Sequence, residues 1–286
     1  MSSATFRNNA PPLAVSHCDG EVRLISDDAS HGQSQAPKLD MFGIIERVHG
    51  DAPWGSVLDA GTGMKSARWL ASLPSTQWTA VSADAEHLQI VENTTAHLRR
   101  RQDRCVLGNW QDPALLEGEK FDTIVAEYLL GAVESYAPYF QSDLFPRLKP
   151  LIGGRVYIVG VDPYVLGAKG NASGSLVMEI GQLRDACALL AGVTPYREYP
   201  AEWVVRQLNR IGLKVIFARR FPNSYNAAWA EAQLFDVCRL IELIEHRDVA
   251  LAMKRRTENL RANVRQRLSN GDNLVHGSDY LIAATA

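Results

Sequence analysis

A short apolar strand that runs into two glycines and then into a helix most limits how this chain can fold. Ser56-Val57-Leu58-Asp59-Ala60 leads into Gly61-Thr62-Gly63, and a helical stretch follows from about Met64 to Leu73. A strand of this kind reaches a parallel neighbour only through a crossover, usually a helix. The N-terminal half repeats that pattern. Trp78–Asp84 reads as a second strand and Glu86–Arg101 as a second helix. Arg104–Leu107, Phe121–Ala126 and Arg155–Gly160 read as further strands, with a helix at about Tyr139–Leu148 between the last two. Strands alternating with helices predict an α/β fold: a doubly wound, mostly parallel sheet with helices on both faces.

The C-terminal half extends the pattern and interrupts it. Pro200 opens a helix and Gly212 closes it, the usual asymmetry of helix ends. Leu213–Ala218 and Asp279–Ala284 read as the last two of seven strands. Two segments fall outside the core and predict helical cap insertions, near 162–200 and near 222–275. In the first, Leu176, Ile180, Leu183, Cys187 and Leu190 share one helical face. In the second, residues 228–268 read as mostly helical until Asn270-Gly271-Asp272 breaks the run. Residues 1–37 are rich in Ser, Asn, Asp, Gly, Gln and Pro, with a short strand at Glu21–Ile25, and predict an N-terminal arm or lid carrying His31. The division is therefore arm 1–37 and one domain 38–286, which begins with the apolar stripe of Leu39, Phe42 and Ile45.

Composition narrows the function classes. The 286 residues are 46% hydrophobic and 22% charged, which excludes a coiled coil and wholesale disorder. Lys+Arg 30 against Asp+Glu 32 gives a net charge of -2, so nothing pulls the whole chain toward nucleic acid or an anionic membrane. No apolar run approaches the roughly 20 residues of a membrane span. The N-terminus has no signal-peptide core, so the expected compartment is the cytoplasm. Cys18, Cys105, Cys187 and Cys238 form no CxxC pair and read as reduced thiols. The seven histidines show no metal-ligand spacing, and no metal is expected.

Three ligands compete for the glycine turn. Ser66 can serve as the small third residue of a dinucleotide fingerprint, yet Asp59 would repel a pyrophosphate. Lys65-Ser66 matches the end of a P-loop, but Met64 stands where the last glycine is needed. A ligand with an ammonium and a sulfonium and no phosphate suits the acid. S-adenosylmethionine is such a ligand. Here the sequence resembles the class I S-adenosylmethionine-dependent methyltransferases, over about 39–165 and 200–286. Asp59-Ala60-Gly61-Thr62-Gly63 resembles that family's acid-x-Gly-x-Gly motif, with Lys65 where a further glycine is common.

The resemblance implies a cofactor site and its residues. Asp59, Gly61 and Gly63 would form the loop. Asp84, closing the second strand, would hold the ribose hydroxyls, or simply cap the next helix. Gly108-Asn109-Trp110 matches the segment near the adenine; Asn109 would bond its edge, and Trp110 would stack on it or pack in the core. Glu127 and Tyr128 lie where the family places the transferred methyl group and the acceptor. Leu148-Lys149-Pro150-Leu151-Ile152-Gly153-Gly154 resembles the turn before strand five. The implied activity is transfer of a methyl group to a small polar metabolite, at N, O or S, and the expected acceptor carries a carboxylate. Tyr128 and Asp162 are catalytic candidates by position. Arg184, Tyr196 and Arg197 are candidates by chemistry, since two guanidiniums can clamp a carboxylate unless each is a surface ion pair. Asp162-Pro163-Tyr164 lacks the second proline of duplex-DNA amino-methyltransferases. An RNA or protein methyltransferase using the basic helix 254–267, a nicotinamide-dependent oxidoreductase and a non-catalytic partner subunit are the alternatives. Nucleic acid is the less expected partner, and the oligomeric state stays open.

Overall fold

The computed structural model describes residues 40–166 and 171–286, and before them the backbone of three two-residue strands, His17–Cys18, Glu21–Val22 and Ile25–Ser26. The arm, including His31, otherwise lies outside the described residues. Seven main strands are present: β1 (Ser56–Asp59), β2 (Gln77–Ser82), β3 (Arg104–Leu107), β4 (Phe121–Glu127), β5 (Ile152–Val161), β6 (Lys214–Tyr225) and β7 (Leu274–Thr285). Their order across the sheet is β3-β2-β1-β4-β5-β7-β6, and Ile25–Ser26 adds a two-residue edge strand beside β6. β7 runs antiparallel to both neighbours, and the other pairs are parallel.

The central strands read as continuous apolar runs because helices cover both of their faces. On one face α1 (Met41–His49) and α2 (Met64–Ser72) bring Phe42, Ile45 and Leu70 against Val57, Val125 and Val159. On the other, α5 (Gln141–Leu148) and α7 (Ala201–Arg210) bring Leu144, Phe145, Leu148, Val204 and Leu208 against Leu58, Ile124 and Ile158. α3 (Ala85–Thr95) packs on α2, β2 and β3. α4 (Leu129–Tyr136) follows β4 directly. α6 (Ala172–Leu190), α8 (Ala227–Ile241) and α9 (Arg247–Arg267) form a cap with its own core of Val177, Ile180, Leu183, Leu234, Val237, Leu260 and Val264. Asn171 and Asn226 cap α6 and α8 by accepting from Gly174 and Trp229 backbone N–H groups.

Several expected boundaries move. The short strand expected at Glu21–Ile25 is two, Glu21–Val22 and Ile25–Ser26. α4 was not expected as a helix: Leu129-Leu130-Gly131-Ala132-Val133 is apolar all round and has no stripe to betray it. The helix expected over Tyr139–Leu148 starts at Gln141, after Tyr139 takes a left-handed φ of 69°. The segment 228–268 divides into α8 and α9. β6 and β7 each run 12 residues, beyond their apolar halves, because Arg219, Arg220 and Ser224 continue the ladder with polar side chains.

Candidate active site

The strand order reverses between β1 and its two neighbours, β2 and β4, so a crevice opens beyond the C-terminal ends of these strands. A cavity of about 280 Å³ fills it. The glycine loop forms its floor and is tied to both neighbouring strands. Ala60 N–H donates to the Val125 carbonyl at 2.8 Å, and Thr62 N–H donates to Val81 at 2.8 Å. Trp110 Nε1 donates to the Ala60 carbonyl at 2.7 Å, so this buried indole fixes the loop while also lining the cavity. A Cβ on Gly61 would lie 2.8 Å from Leu129 Cδ1. At Gly63 a Cβ would meet only Ser66 Oγ, at 3.9 Å. Gly61 thus permits close packing of α4, while the space beside Gly63 stays open to the cavity.

The expected cofactor residues divide by what they touch. Asp84 caps α3, Oδ1 accepting from His87 N–H at 2.9 Å, and it also lines the cavity, where Oδ2 accepts from the Tyr136 hydroxyl at 3.4 Å. Asn109 lines the cavity, but its Nδ2 donates to the Tyr136 carbonyl at 2.7 Å and its Oδ1 accepts from Gln111 N–H. Asp59 does not line the cavity. It is 1% exposed beneath the loop, and neither carboxylate oxygen is in hydrogen-bond geometry with a partner. Burial pushes its carboxyl up to about 6, although Ser66, Thr62 and the Gly61 N–H lie near enough to pull the other way. Asp59, expected to contact the cofactor, is thus placed beneath the loop and outside the cavity lining.

Glu127, at the end of β4, lines the cavity. Burial, followed by the charge of Asp59, pushes it up to about 7. Tyr128 lines the cavity too and caps α4 in a left-handed conformation, φ 49°. A non-glycine residue held there costs about 1–2 kcal/mol, and such strain tends to mark functional positions. Burial, then Asp279, raises its phenol. Tyr196 is half exposed and lines the same cavity.

Three catalytic candidates sit elsewhere. Asp162 accepts from Arg220 Nε at 2.5 Å and from Ala201 N–H at 3.1 Å, so it joins β6 to the start of α7. Arg184 bonds Asp185 through Nε and Nη2, and its Nη1 donates to the Tyr164 hydroxyl and to Gln233, each at 3.0 Å. The Arg197 side chain is 61% exposed and pairs with Glu134 at 3.3 Å. Both arginines are ion-paired, as one reading of the sequence allowed. Tyr136 lines the cavity and was not singled out by the sequence reading; Glu198, weighed there only as an ion-pair partner of Arg197, lies outside the lining. Tyr136 faces Asp84. Glu198 seats its carboxylate against Gly131, where an added Cβ would collide with Oε1. Among the described residues no group of three His, Cys, Asp or Glu is arranged to hold a metal.

No family model and no curated protein matches this sequence. Solved structures do match. A candidate methyltransferase from Bacillus halodurans C-125 superposes with a TM-score of 0.54 at 11% identity, over 86% of this chain and 98% of that one. The YcgJ protein of Bacillus subtilis superposes at 0.52 with 15% identity, over 85% and 97%. A Haemonchus contortus phosphoethanolamine N-methyltransferase 2, in complex with phosphomonomethylethanolamine and S-adenosylhomocysteine, superposes at 0.49 with 17% identity, over 85% and 51%. At these identities the likeness is one of fold. The chain has the Rossmann-like methyltransferase fold that its motifs resemble, and no described helix is long and apolar enough to cross a membrane.

Proposed function

We propose that the cavity binds S-adenosylmethionine and that the protein is a methyltransferase acting on a small polar acceptor. The observation that carries this reading is Asp84 at the end of β2, which caps α3 through one carboxylate oxygen and also lines the cavity beside the glycine loop. A carboxylate so placed can accept from a ribose diol. The rest of the wall fits the same ligand. The open space beside Gly63 suits the amino-acid end, and the acids Asp59 and Glu127 suit a cationic ligand better than a pyrophosphate. Gly108, Asn109, Val133 and Ala137 offer a mostly apolar slot for a base.

Bound there, S-adenosylmethionine supplies an electrophilic methyl group on a sulfonium. The chain contributes alignment, which can be worth about 7–11 kcal/mol of barrier. Asp84 and the loop fix one end, Glu127 and Tyr128 border the other, and Tyr136 and Tyr196 flank the opening. A calorimetric titration with S-adenosylmethionine, S-adenosylhomocysteine and NAD tests the reading. Micromolar binding of the first two is expected, weakened ten- to a hundredfold in Asp84→Ala, since a hydrogen bond to a charged group contributes about 1.5–3 kcal/mol. Binding of NAD instead would overturn it in favour of an oxidoreductase. Binding of none would favour a non-catalytic partner subunit.

A further inference from the structure

Asp84 must hold its carboxylate in one orientation if it is to meet both hydroxyls of a ribose, and two donors of the chain hold it. Oδ1 accepts from the His87 N–H at 2.9 Å, at the start of α3. Oδ2 accepts from the Tyr136 hydroxyl at 3.4 Å. A carboxylate has about four lone-pair sites, so these donors leave about two, one for each hydroxyl of the diol. Tyr136 and Asp84 both line the cavity, so the phenol stands beside the ribose seat itself.

Tyr136 is in turn held from the loop after β3. It is the last residue of α4, where the carbonyls have no partner within the helix. Asn109 donates from Nδ2 to the Tyr136 carbonyl at 2.7 Å, and its Oδ1 accepts from Gln111 N–H at 3.0 Å, which fixes the amide. Packing alone asks for no hydroxyl at 136. The residue is 43% exposed, and with Tyr196 it also borders a second cavity of about 770 Å³. Burial, then Tyr196 and Asp84, raises the Tyr136 phenol, so it keeps its proton and donates to the carboxylate.

Resting on the methyltransferase reading, we propose that Tyr136 is a positioning residue for the cofactor: it holds the Asp84 carboxylate in the orientation that accepts both ribose hydroxyls, and Asn109 holds Tyr136. The relay Asn109–Tyr136–Asp84 crosses the end of α4 and joins the segment beside the base to the carboxylate beside the ribose. Without the phenol, the α3 cap still anchors Oδ1, but the carboxylate can turn about that anchor. The loss therefore falls on the ribose contact and leaves the fold intact.

The test is a calorimetric titration of the full-length chain with S-adenosylhomocysteine, adenosine and 2′,3′-dideoxyadenosine. Tyr136→Phe is expected to weaken S-adenosylhomocysteine about three- to tenfold, the low end for a hydrogen bond to a charged group because this one is long. The same substitution is expected to change nothing once Asp84 is replaced by alanine. The wild type is expected to prefer adenosine to its dideoxy analogue by about tenfold or more, and Tyr136→Phe to cut that preference by about threefold or more. A loss of packing alone would weaken both nucleosides alike. Unchanged or tighter S-adenosylhomocysteine binding in Tyr136→Phe would overturn the proposal. So would an equal loss in the Asp84→Ala background, a preference that Tyr136→Phe leaves untouched, or a wild type with no preference for adenosine. If S-adenosylhomocysteine fails to bind the wild type while the adenosine preference behaves as expected, the methyltransferase reading falls and the relay stands as part of a nucleoside site.

Discussion

Asp59 sits 1% exposed under the glycine loop, and that position carries a stability consequence with a definite sign. Its carboxyl has an ordinary value of 3.8 and is held at about 6 in the folded chain. Below pH 3.8 it is protonated in both states and burial costs little. Between 3.8 and 6 the folded chain keeps a proton that the unfolded chain releases, so stability falls as pH rises. Above 6 the full cost is present, on the order of 3 kcal/mol at 1.36 kcal/mol per pKa unit. Glu127 adds a cost of the same sign between 4.5 and about 7. Asp59→Asn removes the Asp59 part alone. Urea denaturation should find the Asp59→Asn variant no more stable than wild type at pH 4 but more stable by about 1–3 kcal/mol at pH 8, with weaker S-adenosylmethionine binding at both. An equal stability gap at the two pH values would show that Asp59 keeps its charge at no cost. A buried acid kept against such a cost is the pattern expected where stability gives way to function.

The elements divide the molecule into a sheet that carries the cavity and a cap of α6, α8 and α9, none of whose residues lines that cavity. The cap has a core of its own, so its packing can be weakened separately. Leu260 is 0% exposed within it. Leu260→Ala should cost about 2–5 kcal/mol, the usual range for a buried leucine. The loss should appear in hydrogen exchange first over α8 and α9, with S-adenosylmethionine affinity nearly kept. Uniform loss of protection across β1 and β4 would instead make cap and sheet one cooperative unit. How much of this was legible follows from which signals are local. The β1 loop, Asp84 and the Pro200–Gly212 helix are written in consecutive residues, and each falls where it was expected. α4 escaped because its residues are apolar on every side. The pairings of Asp162, Arg184 and Arg197 were hidden for another reason. Asp185 adjoins Arg184, but the other partners, Arg220, Tyr164 and Gln233, and Glu134, lie 58, 20, 49 and 63 residues away in sequence. Long-range pairing of that kind leaves no trace in local pattern. Glu198 was weighed as a partner of Arg197, but its carboxylate sits against Gly131 of α4 and Arg197 pairs with Glu134 instead.

At the scale of the whole molecule the question is where the charge goes. A net charge of -2 leaves any nucleic-acid partner dependent on a local patch, and the basic run on α9 is the strongest candidate for one. Four of its arginines are already engaged. Arg256 pairs with Glu179 at 2.7 Å, Arg261 and Arg265 share Glu231 at 3.1 and 2.7 Å, and Arg267 pairs with Asp272 at 3.1 Å. Three of these pairs join α9 to α6 or α8, so they stitch the cap rather than present a face. In a second basic run, Arg99-Arg100-Arg101, two of the three are engaged as well: Arg99 pairs with Glu92, and Arg100 with Asp103. Exposed pairs of this kind contribute only about 0–1 kcal/mol each to stability. Their effect on an RNA backbone is larger, because each neighbouring carboxylate repels the phosphate its arginine would attract. Binding that depends on phosphate contacts weakens steeply with salt, by about 0.9 per contact in the log–log slope on a duplex and 0.7 on a single strand. Fluorescence anisotropy with a 20-nucleotide RNA should therefore find no saturable binding at 50 mM salt. Micromolar binding with a slope steeper than about -3 would mean that the ion pairs open for RNA, and would make α9 a substrate-binding face.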